Sequence, residues 1–303
     1  MSTISIENAL AKVDIWRGRR TRFERIAAGI TNLNWRIVLP DTGETFFLKI
    51  HGPGTENFID RELAIEAAVK AASTGYAPDL LFYDPEDGIE VYEFLHGFRS
   101  CGVTDVQNPT IRDNILKAYK AIHTTQQLAG SKTGFDQLDQ HLTTLRRMNA
   151  QLPHDFDHLM WQRRRAEAAI RAAGMDQCAC FNDGYVFNYM VDDSQNVKII
   201  DWEYAANNDP YWDLAMFSWE NFYLDARGRR EILEVYDGSF REETAARVYL
   251  YVGMASMVWG LWATYQSMTS SIPFDFGKYA DLIFLRGRQI MSVPEWDRAL
   301  ATV

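Results

Sequence analysis

The chain of 303 residues carries 47% hydrophobic and 24% charged residues, a globular balance that excludes wholesale disorder, collagen-like and low-complexity architectures. With 31 Lys and Arg against 41 Asp and Glu, the net charge of −10 repels a nucleic-acid backbone, and no basic stripe outweighs it: the densest run, Arg163, Arg164 and Arg165, reads as a solvated helix face. Three cysteines, Cys101, Cys178 and Cys180, are too few for a disulfide framework, and Cys178 and Cys180 stand too close for an easy mutual bridge.

The first residues, Met1 to Glu7, lack a basic region followed by an apolar run, so no secretory signal is expected and a reducing cytoplasm fits the sparse cysteines. Strands are predicted over 22–27 and 34–39 around a polar loop, then a turn at Pro40-Asp41-Thr42-Gly43 leads into a third strand over 44–51. Helical spacing of Ile59, Leu63, Ala67 and Ala71 predicts a helix over 59–72, closed by Gly75 with Pro78 beyond. Two further strands, 80–83 and 89–95, are joined by Asp84-Pro85-Glu86-Asp87-Gly88. Residues 1–95 therefore read as a β-rich lobe of antiparallel strands with one crossing helix.

Residues 96–303 read as a larger, mainly helical lobe. Helices are predicted over 110–124, 135–151 and 158–173, with several more beyond Asp209, and a β insert over 188–191 and 197–200 interrupts them. The uncharged stretch 248–265 reaches the lower bound for a membrane span, yet it holds Gly253, Ser256, Gly260 and Thr264, and Trp259 and Trp262 do not belt both ends. It reads as a buried helix, with no membrane insertion. The fold class is α+β with two lobes, and the cleft between them is the default ligand site.

The chemistry-bearing pattern flanks the β insert. Asp183 is followed five positions later by Asn188, and Asp201 ends the apolar strand Val197-Lys198-Ile199-Ile200. Phosphoryl transfer needs a carboxylate to orient a hydroxyl and take its proton, which suits Asp183, and oxygen ligands for magnesium, which suits Asn188 and Asp201. In the first lobe Lys49 stands inside the apolar strand Phe46-Phe47-Leu48-Lys49-Ile50 and needs an anionic partner there, for which the helix over 59–72 offers Glu62 or Glu66. The loop holding Thr31, Asn32 and Asn34 can cover phosphates, but it has neither the Walker pattern nor the three-glycine kinase loop.

These motifs together resemble the choline and ethanolamine kinases of the aminoglycoside phosphotransferase-like group, from about Gly29 to about Tyr279. The likeness rests on Gly29-Ile30-Thr31-Asn32-Leu33-Asn34, Lys49, Ile59-Asp60-Arg61-Glu62, Asn182-Asp183 with Asn188, and Ile200-Asp201-Trp202-Glu203-Tyr204-Ala205. It continues through Asn208-Asp209-Pro210-Tyr211-Trp212-Asp213-Leu214-Ala215, Glu220, Trp259-Gly260-Leu261-Trp262 and Ser270-Ser271-Ile272-Pro273-Phe274. The resemblance implies a protein-kinase-like fold with ATP and Mg2+ between the lobes and Asp213 anchoring the catalytic loop. It also implies a substrate box of Tyr204, Glu220, Trp259, Trp262, Phe274 and Tyr279. On physical grounds, a quaternary ammonium cannot donate N–H bonds and relies on aromatic faces and a carboxylate.

The expected activity is ATP-dependent phosphorylation of the choline hydroxyl to phosphocholine. The alternatives are ethanolamine, another small amino alcohol or an aminoglycoside as acceptor, or a catalytically silent nucleotide- or choline-binding protein. Two features depart from the family pattern: Phe181 stands where His is usual, two residues before Asp183, and Gly184-Tyr185-Val186-Phe187 is unusually bulky. The six histidines show no metal-ligand spacing and read as surface or capping groups, and Cys101 as an incidental buried thiol.

Overall fold

The computed structural model describes residues 4–27, 32–52, 58–221, 223 and 225–303. In the first lobe, β1 (Arg22–Ile26), β2 (Leu33–Val38), β3 (Thr45–Ile50), β4 (Leu80–Asp84) and β5 (Ile89–Glu93) form one antiparallel sheet in the order β1-β2-β3-β5-β4. The first three strands are the expected meander. α2 (Arg61–Ser73) then carries the chain to the far edge, so that β5 returns between β3 and β4. Asp60 caps α2 by accepting the Leu63 N–H, and Ala64, Ala67, Ala68 and Ala71 form its buried stripe.

The first lobe also holds a helix that the sequence pattern does not predict. α1 (Ile6–Lys12) is capped by Ser5 and packs Ile6, Ala9 and Val13, with Trp16, onto Ile37, Leu48, Ile50, Ile89 and Val91 of the sheet. Seven residues make too few turns for an apolar period to register.

The second lobe contains α3 (Val103–Val106), α4 (Pro109–His123), α5 (Gly134–Arg147), α6 (Phe156–Ala173), α7 (Pro210–Glu220), α8 (Ala226–Asp237), α9 (Glu242–Thr269), α10 (Phe276–Met291) and α11 (Pro294–Thr302). α9 is its axis, a 28-residue helix buried on nearly every side and packed on α10, α7, α5 and α11. Its low polarity therefore reflects burial in protein, and among the described residues no helix is long and apolar enough to cross a membrane. Arg163 pairs with Asp139 and Glu167, and Arg165 with Asp297, which places the basic run on a paired helix surface.

Short strands shape the cleft side. β6 (Arg99–Ser100), β8 (Tyr189–Val191) and β9 (Val197–Ile199) form one small sheet, and β7 (Cys178–Cys180) pairs with β10 (Ala206–Asn208) in another. Residues 181–188 and 200–205 thus leave adjacent strand ends toward the sheet lobe.

Candidate active site

The loop from Phe181 to Asn188 is held from behind by one buried carboxylate. Asp213, in the first turn of α7, accepts the Phe181 N–H at 2.8 Å and the Asn182 N–H at 2.7 Å. His123, at the end of α4, meets the same carboxylate through Nε2 at 2.9 Å and the Tyr236 hydroxyl through Nδ1 at 2.6 Å. Phe181 is fully buried with its ring centroid 4.8 Å from that of Trp202. An apolar ring therefore fills the position where the family usually has His, while an imidazole arrives at the anchor from a different helix.

Asn182 and Asp201 both adopt left-handed backbone, with φ of 62° and 66°. For residues with a Cβ such conformations cost on the order of 1–3 kcal/mol and persist where the surroundings fix them. Asn182 is fixed on both ends of its side chain: Nδ2 donates to Tyr204 O at 3.0 Å, and Oδ1 accepts from Asn208 Nδ2 at 2.9 Å. Gly184 is required by packing, since a Cβ there would meet the Met216 backbone at 2.8 Å.

The loop presents Asp183 into the cleft. Asn188 Nδ2 donates to Asp183 Oδ2 at 3.0 Å, which turns the amide oxygen of Asn188 away from Asp183. The Asn188 carbonyl accepts the Ile200 N–H at 3.0 Å, so the hairpin brings Asn188 beside the residue that precedes Asp201. Burial, then the Asp201 and Glu220 carboxylates, raise the pKa of Asp183 well above the ordinary carboxylate value.

Lys49 closes the other side. Its Nζ lies 2.8 Å from Asp201 Oδ1, 2.8 Å from Glu203 Oε1 and 3.8 Å from Glu90 Oε2. Burial opposes the charge, yet the three carboxylates raise the lysine pKa well above its usual value. The expected partner is therefore corrected: neither Glu62 nor Glu66 pairs with Lys49. Glu62 lies on the exposed side of α2, and Glu66 is held by Lys70 at 2.6 Å and by the Ala129 N–H at 2.9 Å. Sheet register explains the substitution, because β5 sets Glu90 directly opposite Lys49. Asn32 bridges the lobes by donating to Glu203 Oε1 at 2.9 Å and accepting the Gly52 N–H at 3.1 Å, and Asn34 is the cross-strand neighbour of Lys49 on β2. Thr31 lies outside the described residues.

On the far side of Asp183 is an aromatic wall. Tyr204 and Trp259 have centroids 5.6 Å apart, as do Trp259 and Trp262, and both pairs meet edge to face. Phe276 extends the wall from Trp262 at 5.9 Å, and Phe274 lies 5.8 Å from Tyr279. Glu220, the last residue of α7, accepts the Val186 N–H; burial raises its pKa to about 7, with Arg286 and that N–H pulling partly back. Arg286 itself lies over the Trp219 ring and donates to the Trp219 carbonyl. Tyr185 joins the same group, because its phenol is raised by burial and then by Glu220 and Asp183.

Asp183 is thus placed beside Asn188, Asp201 and Glu220, whereas Glu62 and Glu66 stand apart from the Lys49 cluster. Glu90, Glu203 and Tyr185 extend the set. Two of the histidines are buried rather than at the surface, His123 at the loop anchor and His141 fully enclosed, and a third, His51, is half-buried against Glu90. Cys101 is a buried free thiol, with burial raising its pKa to about 12. A cavity of about 380 Å³ is lined by Phe58, Asp60, Lys132, Asp136, Glu203 and Tyr204.

Known proteins resemble this chain in sequence and in fold. Residues 22–249 match the phosphotransferase enzyme family. The chain is 26% identical over 264 aligned positions to a probable choline kinase 2 of Arabidopsis thaliana, covering 77% of this chain and 74% of the plant protein. It is 24% identical over 304 aligned positions to ethanolamine kinase 2 of Rattus norvegicus, covering 89% of this chain and 76% of the rat protein. The solved structure of a choline/ethanolamine kinase family protein from Mesorhizobium loti superposes with a TM-score of 0.82 at 28% identity, covering 97% and 96% of the two chains. The two lobes are therefore those of the kinase-like phosphotransferase fold, and the chain belongs to the phosphotransferase enzyme family as a choline/ethanolamine kinase-like small-molecule kinase.

Proposed function

We propose that this protein transfers the γ-phosphoryl group of ATP to the hydroxyl of choline, giving phosphocholine. The observation that carries the reading is the position of Asp183, within electrostatic reach of the Lys49-paired Asp201 on one side and of Glu220 in the aromatic box on the other. A hydroxyl presented from the aromatic side meets a carboxylate able to orient it and accept its proton, and a phosphate presented from the Lys49 side meets an ammonium.

The residues beside Asp183 suit a hard divalent cation. Asn188 and Asp201 offer oxygen donors only, and Asp201 keeps one oxygen clear of Lys49 while its side chain is 35% exposed to the cleft. Bound there, Mg2+ supplies positive charge to the phosphate oxygens. Asn32 and Asn34 flank Lys49 on the sheet side and fit contacts to the nucleotide. Positioning and fixed charge account for most of the rate in such a site.

Choline is favoured because Trp259, Trp262, Tyr204, Phe274 and Tyr279 offer ring surface, with the Glu220 and Asp183 carboxylates beside Tyr279. A trimethylammonium group gains from ring faces without needing N–H acceptors. The same Glu220 could accept N–H bonds from ethanolamine, so the acceptor is settled by turnover. With ATP and Mg2+ supplied, ADP release should be fastest with choline, slower with ethanolamine and negligible with an aminoglycoside. Preference for ethanolamine would reassign the acceptor, and tight choline binding without ADP release would indicate a silent binder.

A further inference from the structure

Cys178 and Cys180 lie on β7, where an extended strand directs residues two apart to the same face. Their sulfur atoms are 3.6 Å apart, and with a ring nitrogen of His123 the three donor atoms lie within 4.8 Å of one another. Two thiolates on one tetrahedral ion, each at about 2.3 Å from it, stand about 3.8 Å apart. The pair is at bridging distance without backbone movement. A mutual disulfide fits less well, because two strand residues span about 6.6–6.8 Å between Cα atoms, the far limit of disulfide geometry. Drawing them together would also disturb the pairing of Cys178 with Asn208 and of Cys180 with Ala206.

His123 is supported as a ligand from behind. Its Nε2 is committed to Asp213 Oδ2 at 2.9 Å, the carboxylate–imidazole contact by which metal-bound histidines fix their tautomer and orientation. Nδ1 is then the donor atom, and the Tyr236 hydroxyl stands there at 2.6 Å. Tyr236 also neighbours both thiols: burial, then Cys178 and Cys180, raise its phenol. Cys178 is only half-buried, which gives an ion a way in, while Cys180 is enclosed and donates to the Asn208 carbonyl at 3.4 Å.

We infer that Cys178, Cys180 and His123 form a binding site for a thiophilic d10 cation of the Zn2+ class, distinct from the oxygen-lined site at Asn188 and Asp201. Binding exchanges two S–H bonds for two sulfur–metal bonds and releases two protons to solvent. The Nδ1 lone pair turns from the Tyr236 hydroxyl to the ion, and water completes the tetrahedron. No change of oxidation state is involved. Because Asp213 also holds the Phe181 and Asn182 amides, the site abuts the anchor of the Asp183 loop.

The test is titration of the reduced full-length chain with Cd2+ in the absence of nucleotide, following thiolate-to-cadmium charge-transfer absorption in the ultraviolet. One equivalent should bind, Cys178→Ser should weaken binding by at least about 100-fold, beyond what loss of an outer partner costs, and Cys101→Ser should leave it unchanged. X-ray absorption on the Zn2+-loaded wild-type chain needs no variant and should show two sulfurs and an imidazole nitrogen around zinc. A shell without sulfur, absorption that persists in Cys178→Ser, or oxidation to a Cys178–Cys180 disulfide with no metal uptake would each overturn the assignment.

Discussion

Two acidic centres flank Asp183, and they are compensated in opposite ways. At the first, Glu90, Asp201 and Glu203 surround the Lys49 ammonium; burial opposes ionisation, but Lys49 and His51 hold Glu90 down to about 2. At the second, burial dominates and Glu220 rises to about 7, with Arg286 only partly offsetting it. The first centre brings its own cation and is built before any ligand arrives. The second has a carboxylate and aromatic rings, and the Arg286 guanidinium offsets the burial of Glu220 only in part, which is the arrangement expected of a site that receives further positive charge from the acceptor.

The largest effect should come from Asp183→Asn, which leaves both centres in place yet removes the proton acceptor; kcat should fall by about 10²–10⁴ with ATP binding retained. If ADP release with choline survives this change, Asp183 is not the base. Lys49→Met separates the centres by stability. It leaves buried carboxylates without their cation and should cost about 3–5 kcal/mol in denaturant unfolding. Glu220→Gln, which removes a carboxyl that burial already disfavours as an anion, should cost no stability at all. Equal losses from the two variants would mean that the centres do not differ as described.

Smaller effects probe the supports. His123→Ala deprives buried Asp213 of a partner and should cost about 1–3 kcal/mol. If His123 positions the loop, kcat should fall while the KM for choline holds; a purely structural role would lower stability alone. Trp259→Ala removes a ring face worth about 0.5–2 kcal/mol, so the KM for choline should rise by roughly 2- to 30-fold. The KM for ATP should stay unchanged, and parallel changes would dissolve the cage.

What the sequence discloses here depends on the distance over which each contact is made. Asp183, Asn188 and Asp201 are legible because a single hairpin, β8 and β9, brings them together and their spacing along the chain records it. The partners of Lys49 are not. Glu90 reaches it through a strand order in which β5 inserts beside β3, and Glu203 reaches it from the other lobe. Helical proximity points instead to Glu62, which is exposed, and Glu66, which is held by Lys70 and the Ala129 N–H. His123 is unreadable for the same reason, since nothing near it in sequence signals the distant Asp213. The aromatic wall was partly visible as Trp259 and Trp262 one turn apart, whereas Tyr185 entered only once the loop was folded against Glu220.

The contrast between the two centres can be read directly as protons. Glu220 faces Arg286, Asp183, Tyr185 and Tyr279, and of these only Arg286 is a cation. With its pKa raised to about 7, Glu220 is mostly protonated at slightly acid pH. A bound ammonium favours the carboxylate, so the affinity for choline should climb as pH rises toward 7 and level off above it. Calorimetry of choline binding at about pH 6, in two buffers of different ionisation enthalpy, counts the protons released. Choline binding should release nearly one proton, and the release should disappear in Glu220→Gln; binding with no proton release in the wild-type chain, or equal release in the variant, would mean that Glu220 is not the group that choline ionises.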